Sequence, residues 1–267
     1  MNHPRTYCLR LERTSLVLAA SLCAGCWRPP AATIEQSQRG LVWMLPGIQG
    51  GAWQLAGPYR ALRKAGVHAE IRVYDWERPF NSLANLTEYQ RNRTRAADIA
   101  AAIAQYHTQH PGAPVDLVGY SGGGGLVVMV AEALPPDVRL RHLVLVHAAI
   151  SPDYDLTAAL RRVDGKLINF YSPLDWWTLG AGTSVFGTMD RKYVASAGHV
   201  GLNLQRAAPP ELHGRIEQVC WRGEMIASGH LGNHLGMVSE EWNRRYVAPH
   251  LLSTAGVERR SAAAAAE

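Results

Sequence analysis

The segment from Val115 to Pro135, VDLVGYSGGGGLVVMVAEALP, constrains the fold of this 267-residue chain more than any other stretch. An apolar run leads into Gly-Tyr-Ser-Gly-Gly, and a second apolar run follows after further glycines. Glycine adds no packing and loses much conformational entropy on folding, so a glycine cluster around one hydroxyl needs a geometric reason. A chain that reverses within a few residues, between a buried strand and a buried helix, supplies that reason. The segment therefore predicts a strand–turn–helix unit with Ser121 in the turn.

The rest of the chain alternates between two hydrophobic periodicities. Short, nearly continuous apolar runs that end at turn signals predict buried strands, and the segments between them have the spacing of amphipathic helices. Such alternation indicates an α/β fold, with a mostly parallel sheet flanked by helices on both faces. The predicted strands lie, in order, in GLVWMLPG, HAEIRVYDW, PVDLVGYS, LRHLVLVHAAI, KLINFYS and RIEQVCW.

Residues 1–26 have the layout of a secretory signal peptide. A basic region precedes a short apolar stretch, residues 15–22, and small residues then lead to Cys26. The CAGC ending also resembles a bacterial lipoprotein signal, which implies lipidation of Cys26, although Cys23 stands where that family usually has leucine. We expect an exported protein of the cell envelope, attached to a membrane through an N-terminal lipid. Secretion in soluble form and a cytoplasmic location are the alternatives.

Composition excludes some partners. The net charge of +5 comes from scattered basic residues, without a cluster interleaved with aromatic residues, so nucleic-acid binding is not expected. No cofactor or metal is expected either. Beyond the first 26 residues the chain has a single cysteine, Cys220, which cannot form an internal disulfide there and is predicted to be buried in the last strand.

The turn at Ser121 resembles the nucleophile elbow of the α/β-hydrolase superfamily. Gly119 and Gly123, two positions either side of the serine, leave room for the strained turn. The resemblance implies a serine nucleophile in a compact α/β-hydrolase domain without a large cap over residues 40–252, after a linker at 27–39 and before a disordered tail at 253–267. The alternative, a phosphate-binding loop, would carry G-x-G-x-x-G or end in Gly-Lys-Ser/Thr, and this segment does neither.

The resemblance also implies an acid after a later strand. In this superfamily the acid follows the nucleophile in the chain and precedes the histidine. Asp175, just past KLINFYS, matches that position. Asp153, which follows the preceding strand, and Asp190, in FGTMDRKYV, are the competing candidates.

The catalytic base is expected after the last strand, where two histidines occur. His234 lies close to the start of the final helix, and we favour it because that position holds a side chain firmly. His230 is the alternative base, in a glycine-containing loop that we expect to be freer. His199 precedes the last strand and ranks third.

A tetrahedral intermediate requires two N–H donors for its oxyanion. The backbone of Gly122, directly after the serine, is the first expected donor. Ile48, in the loop MLPGIQGGAW after the first strand, is the expected second donor, with Gln49 as the alternative. Pro46 and Gly47 stand where many relatives have His-Gly, so the resemblance carries over the position and not the side chain.

Together these residues predict a serine hydrolase that cleaves carboxylic esters through an acyl-enzyme. The expected substrates are small-molecule or lipid esters, with Trp53, Trp176 and Trp177 lining an apolar acyl site or, alternatively, serving as partly buried packing residues. Two other functions stay open: an acyltransferase or peptidase of the same superfamily, and a non-catalytic envelope-attached binding or scaffold protein on the same fold.

Overall fold

The computed structural model describes residues 27–49, 51–79 and 81–252. The predicted signal peptide, its lipidation site Cys26 and the predicted tail at 253–267 lie outside the described residues. Among the helices within these ranges, none is both long enough and apolar enough to cross a bilayer.

The six strands of the described chain form one sheet, and every neighbouring pair is parallel. The strand order is β2-β1-β3-β4-β5-β6. The predicted α/β architecture is therefore confirmed, and each strand predicted from the apolar runs exists. The strands are β1 (Leu41–Leu45), β2 (Glu70–Val73), β3 (Val115–Tyr120), β4 (His142–Val146), β5 (Leu167–Tyr171) and β6 (Ile216–Cys220).

Helices connect the strands and follow the last one. The longest helix, α4, spans 21 residues and ends two residues before Pro111, at Gln109. The α-helices are α1 (Ile34–Arg39), α2 (Ala56–Ala65), α3 (Ser82–Thr87), α4 (Tyr89–Gln109), α5 (Gly122–Ala133), α6 (Thr157–Leu160), α7 (Thr183–Phe186), α8 (Ala197–Val200), α9 (Leu204–Ala207), α10 (Glu240–Trp242) and α11 (Ala248–Leu251). Shorter 3-10 segments lie at Ala52–Leu55, Pro210–Arg215, Gly223–Ser228 and His234–Val238, and π-helical segments at Trp176–Gly182 and Asn243–Val247.

Both faces of the sheet are covered. Alternate side chains of a strand point to opposite faces, and β1 shows the consequence: Leu41 and Leu45 pack in the same core as residues of α4 and α5. Val42 and Met44 pack in a second core with residues of α2 and α11. A sheet buried on both faces explains why its central strands are nearly continuous apolar runs.

Helix α1 lies within the segment that was predicted to be a linker. Thr33 and Gln36 form a reciprocal capping box at its start. The Ser37 hydroxyl donates a hydrogen bond of 2.8 Å to Glu70 at the start of β2. This segment is thus helical and contacts the edge of the sheet.

Cys220 is half-buried, so the prediction of a core cysteine is wrong. It lies in β6, whose five residues are all half-buried. Because β6 is at the edge of the sheet, it has a strand on one side only. An apolar run predicts a strand but does not show whether that strand is central.

The carboxyl ends of β1 and β3 lie at the point where the direction of strand addition in the sheet reverses. The chain moves from β1 outward to β2, and then returns to the other side of β1 with β3. In open parallel sheets, ligands bind in the crevice at such a switch point. The loops that follow β1, β3, β4, β5 and β6 all leave this edge of the sheet, and they contain the candidate residues.

Candidate active site

Ser121 occupies a strained turn between β3 and α5. Its backbone angles are φ 54° and ψ −120°, a region that non-glycine residues rarely adopt. Its N–H donates to the Val146 carbonyl at 2.9 Å, and its own carbonyl accepts from the N–H groups of Gly124 and Ala149 at 2.9 and 3.0 Å. These bonds attach the Ser121 turn to the end of β4 and to the loop that follows β4.

Two of the glycines allow backbone segments to approach each other. A Cβ atom at Gly119 would overlap the backbone of Gly123. A Cβ atom at Gly123 would overlap the carbonyl oxygens of Leu45 and Pro46, at the end of β1 and in the loop after it. The turn is thus compatible only with glycine at both positions.

The next two glycines bring α5 against neighbouring loops. A Cβ atom at Gly124 would lie 2.6 Å from the Ala148 Cβ, and one at Gly125 would lie 2.7 Å from the Met189 Cβ. Real Cβ atoms do not approach so closely, so a side chain at either position would displace the helix. The cluster after Ser121 therefore fixes α5 close to the loop after β4.

Ser121, His234 and Asp175 are joined by hydrogen bonds, although they come from three separate loops. His234 Nε2 lies 3.0 Å from Ser121 Oγ, and His234 Nδ1 lies 2.6 Å from Asp175 Oδ2. Asp175 is buried at the start of the π-helical turn after β5. A carboxylate can only accept, so His234 Nδ1 carries the proton and Nε2 is free to accept from the serine hydroxyl.

The competing acids make other contacts. Asp153 accepts from Arg206 at 2.7 Å and from Asn203 at 2.9 Å. Asp190 accepts from the Ser151 hydroxyl at 2.5 Å. Both carboxylates therefore stabilise loops rather than a histidine.

The loop that carries His234 is held by its neighbours. The Asn233 side chain accepts from the Gly236 N–H at 3.0 Å and caps the short helix that starts at His234. The Ser172 hydroxyl donates to the Gly232 carbonyl at 2.6 Å, which ties this loop to the end of β5. Asn233 itself has ordinary extended angles, φ −80° and ψ 171°. Its role is that of a cap.

His230 is completely buried, so the expectation of a loosely held loop histidine is also wrong. A Cβ atom at Gly236 would overlap its ring, which explains the glycine there. Its Nε2 lies 3.1 Å from Nε2 of a further histidine, His147. His199, the third candidate base, lies elsewhere, with Nδ1 3.3 Å from the Ser172 carbonyl.

Sequence reasoning did not single out His147. This buried residue directly follows β4, and its Nδ1 lies 2.7 Å from Asp175 Oδ2, the oxygen that also accepts from His234. Its position gave a signal: it is the polar residue at the carboxyl end of a predicted strand, as Asp175 is for β5. The sequence VHAAI nevertheless reads as a continuous apolar run.

The hydrogen bonds on Asp175 determine its charge. Burial alone would raise the pKa of this carboxyl group, but the hydrogen bonds from His147 and His234 outweigh burial and lower its pKa below the ordinary value. Burial lowers the pKa of His147, despite the nearby carboxylate. Burial and the neighbouring His147 lower the pKa of His230 to about 3. At neutral pH the site therefore holds a carboxylate and two uncharged buried histidines.

His147, Asp175 and His234 place ligand-type atoms within 4.8 Å of one another, a spacing that could suit a metal ion. Both Nδ1 atoms already point at the same carboxylate oxygen at hydrogen-bond distance. Since a metal would have to replace both protons, hydrogen bonding accounts for this cluster as it stands.

The loop after β1 lies directly against the serine. A Cβ atom at Gly47 would lie 3.2 Å from the Ser121 Cβ, and one at Gly122 would overlap the Ile48 side chain. Within the described part of the chain, neither the Ile48 nor the Gly122 backbone N–H donates a hydrogen bond. Two free donors thus lie in adjacent backbone segments beside Ser121, while Gln49 is exposed.

Three side chains hold this loop from outside. Gln54 accepts from the Gly47 N–H at 3.0 Å, and the buried Trp76 ring donates to the Pro46 carbonyl at 2.9 Å. Asn85, also buried, donates to the Ile48 carbonyl at 3.1 Å. The Pro46 and Ile48 carbonyls are therefore each held by a buried side-chain donor.

The serine itself is only 6% exposed. Several large apolar side chains that are close in sequence to the site residues are exposed to solvent. Trp176 and Trp177, next to Asp175, stack with ring centroids 4.2 Å apart, and Trp177 is 73% exposed. Trp53, Leu174, Leu231 and Leu235 are also exposed. Trp53 and Trp176 are about half exposed and Trp177 is mostly exposed, so none of the three is fully buried.

No family model and no curated protein matches this chain. Among solved structures, a mature Bacillus licheniformis lipase is 12% identical, with 84% of this chain and 95% of that chain covered and a TM-score of 0.47. Aspergillus fumigatus lipase B is 13% identical, covering 83% and 55%, with a TM-score of 0.48. A Trichoderma reesei cutinase in complex with a phosphonate inhibitor is 15% identical, covering 91% and 88%, with a TM-score of 0.40. We draw no functional conclusion from likenesses this distant.

Proposed function

We propose that this protein is a serine hydrolase that cleaves carboxylic esters through an acyl-enzyme, with Ser121 as nucleophile, His234 as base and Asp175 as acid. The observation that carries the proposal is the hydrogen-bonded series from Ser121 Oγ through His234 to Asp175 Oδ2, at 3.0 and 2.6 Å. A serine hydroxyl needs a base to remove its proton, and the base needs a carboxylate to orient it and to stabilise the imidazolium. Each role has one residue in this series.

In the proposed reaction, Ser121 Oγ attacks the ester carbonyl carbon while His234 Nε2 takes the hydroxyl proton. His234 then gives this proton to the departing alcohol oxygen, which leaves the acyl group on Ser121. A water molecule attacks the acyl-enzyme with His234 acting again as base, and the carboxylic acid departs. The backbone N–H groups of Gly122 and Ile48 are the proposed donors to the oxyanion, because both lie beside Ser121 without another acceptor among the described residues.

The surroundings of the site favour esters with apolar acyl groups. Trp176 directly follows Asp175, Trp177 comes next, and Leu235 directly follows His234; all three expose apolar surface to solvent. Covering such a surface with an acyl chain removes apolar area from water, which favours binding of the chain. The envelope location predicted from residues 1–26 would give such an enzyme access to lipid esters, and it stays a prediction.

A fluorophosphonate probe tests the proposal, because it reacts only with an activated serine. We expect labelling at Ser121, identified by peptide mass spectrometry, and hydrolysis of p-nitrophenyl esters of graded acyl length. Peptide amides and an added acceptor alcohol, assayed in parallel, distinguish a peptidase and an acyltransferase. Folded protein that is neither labelled nor active on any of these substrates would instead favour the scaffold function.

Substitution of Asp175 separates its charge from its geometry. We expect Asp175→Ala to lower kcat roughly 10⁴-fold, as loss of the acid does in other triads. Two histidine N–H groups point at one carboxylate oxygen, so an asparagine should direct its amide oxygen toward them. Asp175→Asn should then keep the tautomer of His234 and cost less than Asp175→Ala. Equal kcat values for the two variants would contradict this orientation. Asp153→Asn is the control that should leave kcat unchanged.

A further inference from the structure

His147 and His230 extend the hydrogen-bonded series beyond the three proposed catalytic residues. The Gly232 N–H lies 3.0 Å from His230 Nδ1, and a backbone N–H can only donate. His230 Nδ1 is therefore unprotonated, and its single proton is on Nε2. That proton faces His147 Nε2 at 3.1 Å, which must accept it. His147 then carries its own proton on Nδ1, directed at Asp175.

Every bond in this series thus has a defined direction. It begins at the backbone of Gly232 and passes through His230 and His147 to Asp175 Oδ2. The buried positions of His147 and His230 exclude water as a competing partner. Since both rings remain uncharged, neither reverses its donor and acceptor atoms at neutral pH.

The backbone around His147 is constrained to maintain this contact. Its φ is 49°, which is unfavourable for a residue with a side chain, although histidine and asparagine tolerate it better than most. Gly198 packs against the His147 backbone so closely that a Cβ atom there would overlap it, and Gly124 packs against Ala148 on the other side. Strain of this kind persists only where the surrounding structure fixes it, and it is often found at functional sites.

We propose that His147 is a positioning residue for Asp175, and that His230 positions His147. This proposal rests on the proposed function. His147 does not contact Ser121 in the series; it donates the second hydrogen bond to the oxygen that holds His234. The carboxylate therefore keeps one orientation and stays charged although it is buried, so that His234 retains its Nδ1 proton.

Nuclear magnetic resonance of the histidine nitrogens tests the series without any substrate. Long-range ¹H–¹⁵N spectra distinguish the two tautomers, so at neutral pH we expect His230 protonated at Nε2 only and His147 at Nδ1 only. His147 protonated at Nε2, or either ring doubly protonated at neutral pH, would overturn the proposal. This readout remains valid even if the protein hydrolyses no ester.

A matched pair of variants tests the effect on the reaction. Gln can donate from nearly the same place as His230 Nε2, whereas Met has a similar shape but no donor. We expect H230M to lower kcat roughly 2- to 10-fold, the usual effect of losing one hydrogen bond between uncharged groups, with KM unchanged. H230Q should retain most of the wild-type kcat. If H230M and the wild type had equal kcat values, the positioning role of His230 would be refuted. The proposed hydrolase function would still stand, provided that Ser121→Ala inactivates the enzyme.

The pH profile supplies a readout that a merely structural role would not change. The titratable groups that act on Asp175 are His147 from the loop after β4 and His230 and His234 from the segment after β6. Loss of the His147 donor raises the pKa of Asp175, so the acid limb of kcat/KM should move to higher pH in His147→Ala. His147→Asn keeps a donor near the Nδ1 position and tolerates the backbone angle, so it should return the limb toward the wild-type pH. If the acid limb of folded His147→Ala stayed at the wild-type pH, the proposal would be contradicted. If His147→Ala does not fold, the comparison of H230M with H230Q decides the matter.

Discussion

Ser121→Ala should lower kcat for ester hydrolysis roughly 10⁶-fold, to a residual rate set only by binding and oxyanion stabilisation. The hydroxyl is the sole group in the series that can form the acyl bond, and alanine leaves His234 without a partner to deprotonate. Folding should be unaffected. Both side chains have a Cβ atom at the same strained backbone angle, and the backbone bonds of residue 121 to Val146, Gly124 and Ala149 are retained.

The measurement is kcat on the best p-nitrophenyl ester, together with thermal unfolding of the same preparation. Ser184→Ala is the matched control, because this exposed hydroxyl donates only a local bond of 2.7 Å to the Gly180 carbonyl. It should leave kcat and fluorophosphonate labelling unchanged. If the folded Ser121→Ala enzyme retained substantial turnover, Ser121 would not be the nucleophile, and the geometry at the elbow would need another explanation.

Much of the site was predictable because the parallel sheet determines where loops meet. Ser121 and Asp175 each follow a strand whose apolar run is evident in the sequence, and the carboxyl ends of parallel strands share one edge. The glycines around Ser121 added a second signal, because two backbone segments must approach the turn closely. Strand periodicity and local turn chemistry therefore sufficed to bring these residues to one place.

The histidine contacts could not be predicted in this way. The burial of His230 depends on Gly236, which leaves room for its ring, and on a loop tied to β5 by Ser172. The bond from Ser172 to Gly232 joins positions separated by 60 residues, and hydropathy patterns contain no information on either contact. His147 was missed for a related reason: in an apolar run, one histidine resembles a core residue until its partner Asp175 is known.

His234→Ala should also lower kcat roughly 10⁶-fold, because serine and histidine act as a unit and loss of either costs about as much as loss of both. His147 cannot replace the missing base. It contacts the same oxygen of Asp175, but its Nε2 accepts from His230, so it has no free nitrogen for the Ser121 hydroxyl.

The three histidine variants together decide the assignment of the base. H230A should weaken catalysis only to the extent of a lost positioning bond, roughly 2- to 10-fold, since His230 reaches Asp175 through His147 alone. H199A should leave kcat unchanged, because that ring lies beside the Ser172 carbonyl and Gly180. Added imidazole should restore part of the activity of H234A by entering the space next to Ser121. If instead imidazole rescued H230A and H234A remained active, the two assignments would be exchanged. The base would then be the buried His230 and not His234, whose Nε2 lies 3.0 Å from the serine hydroxyl.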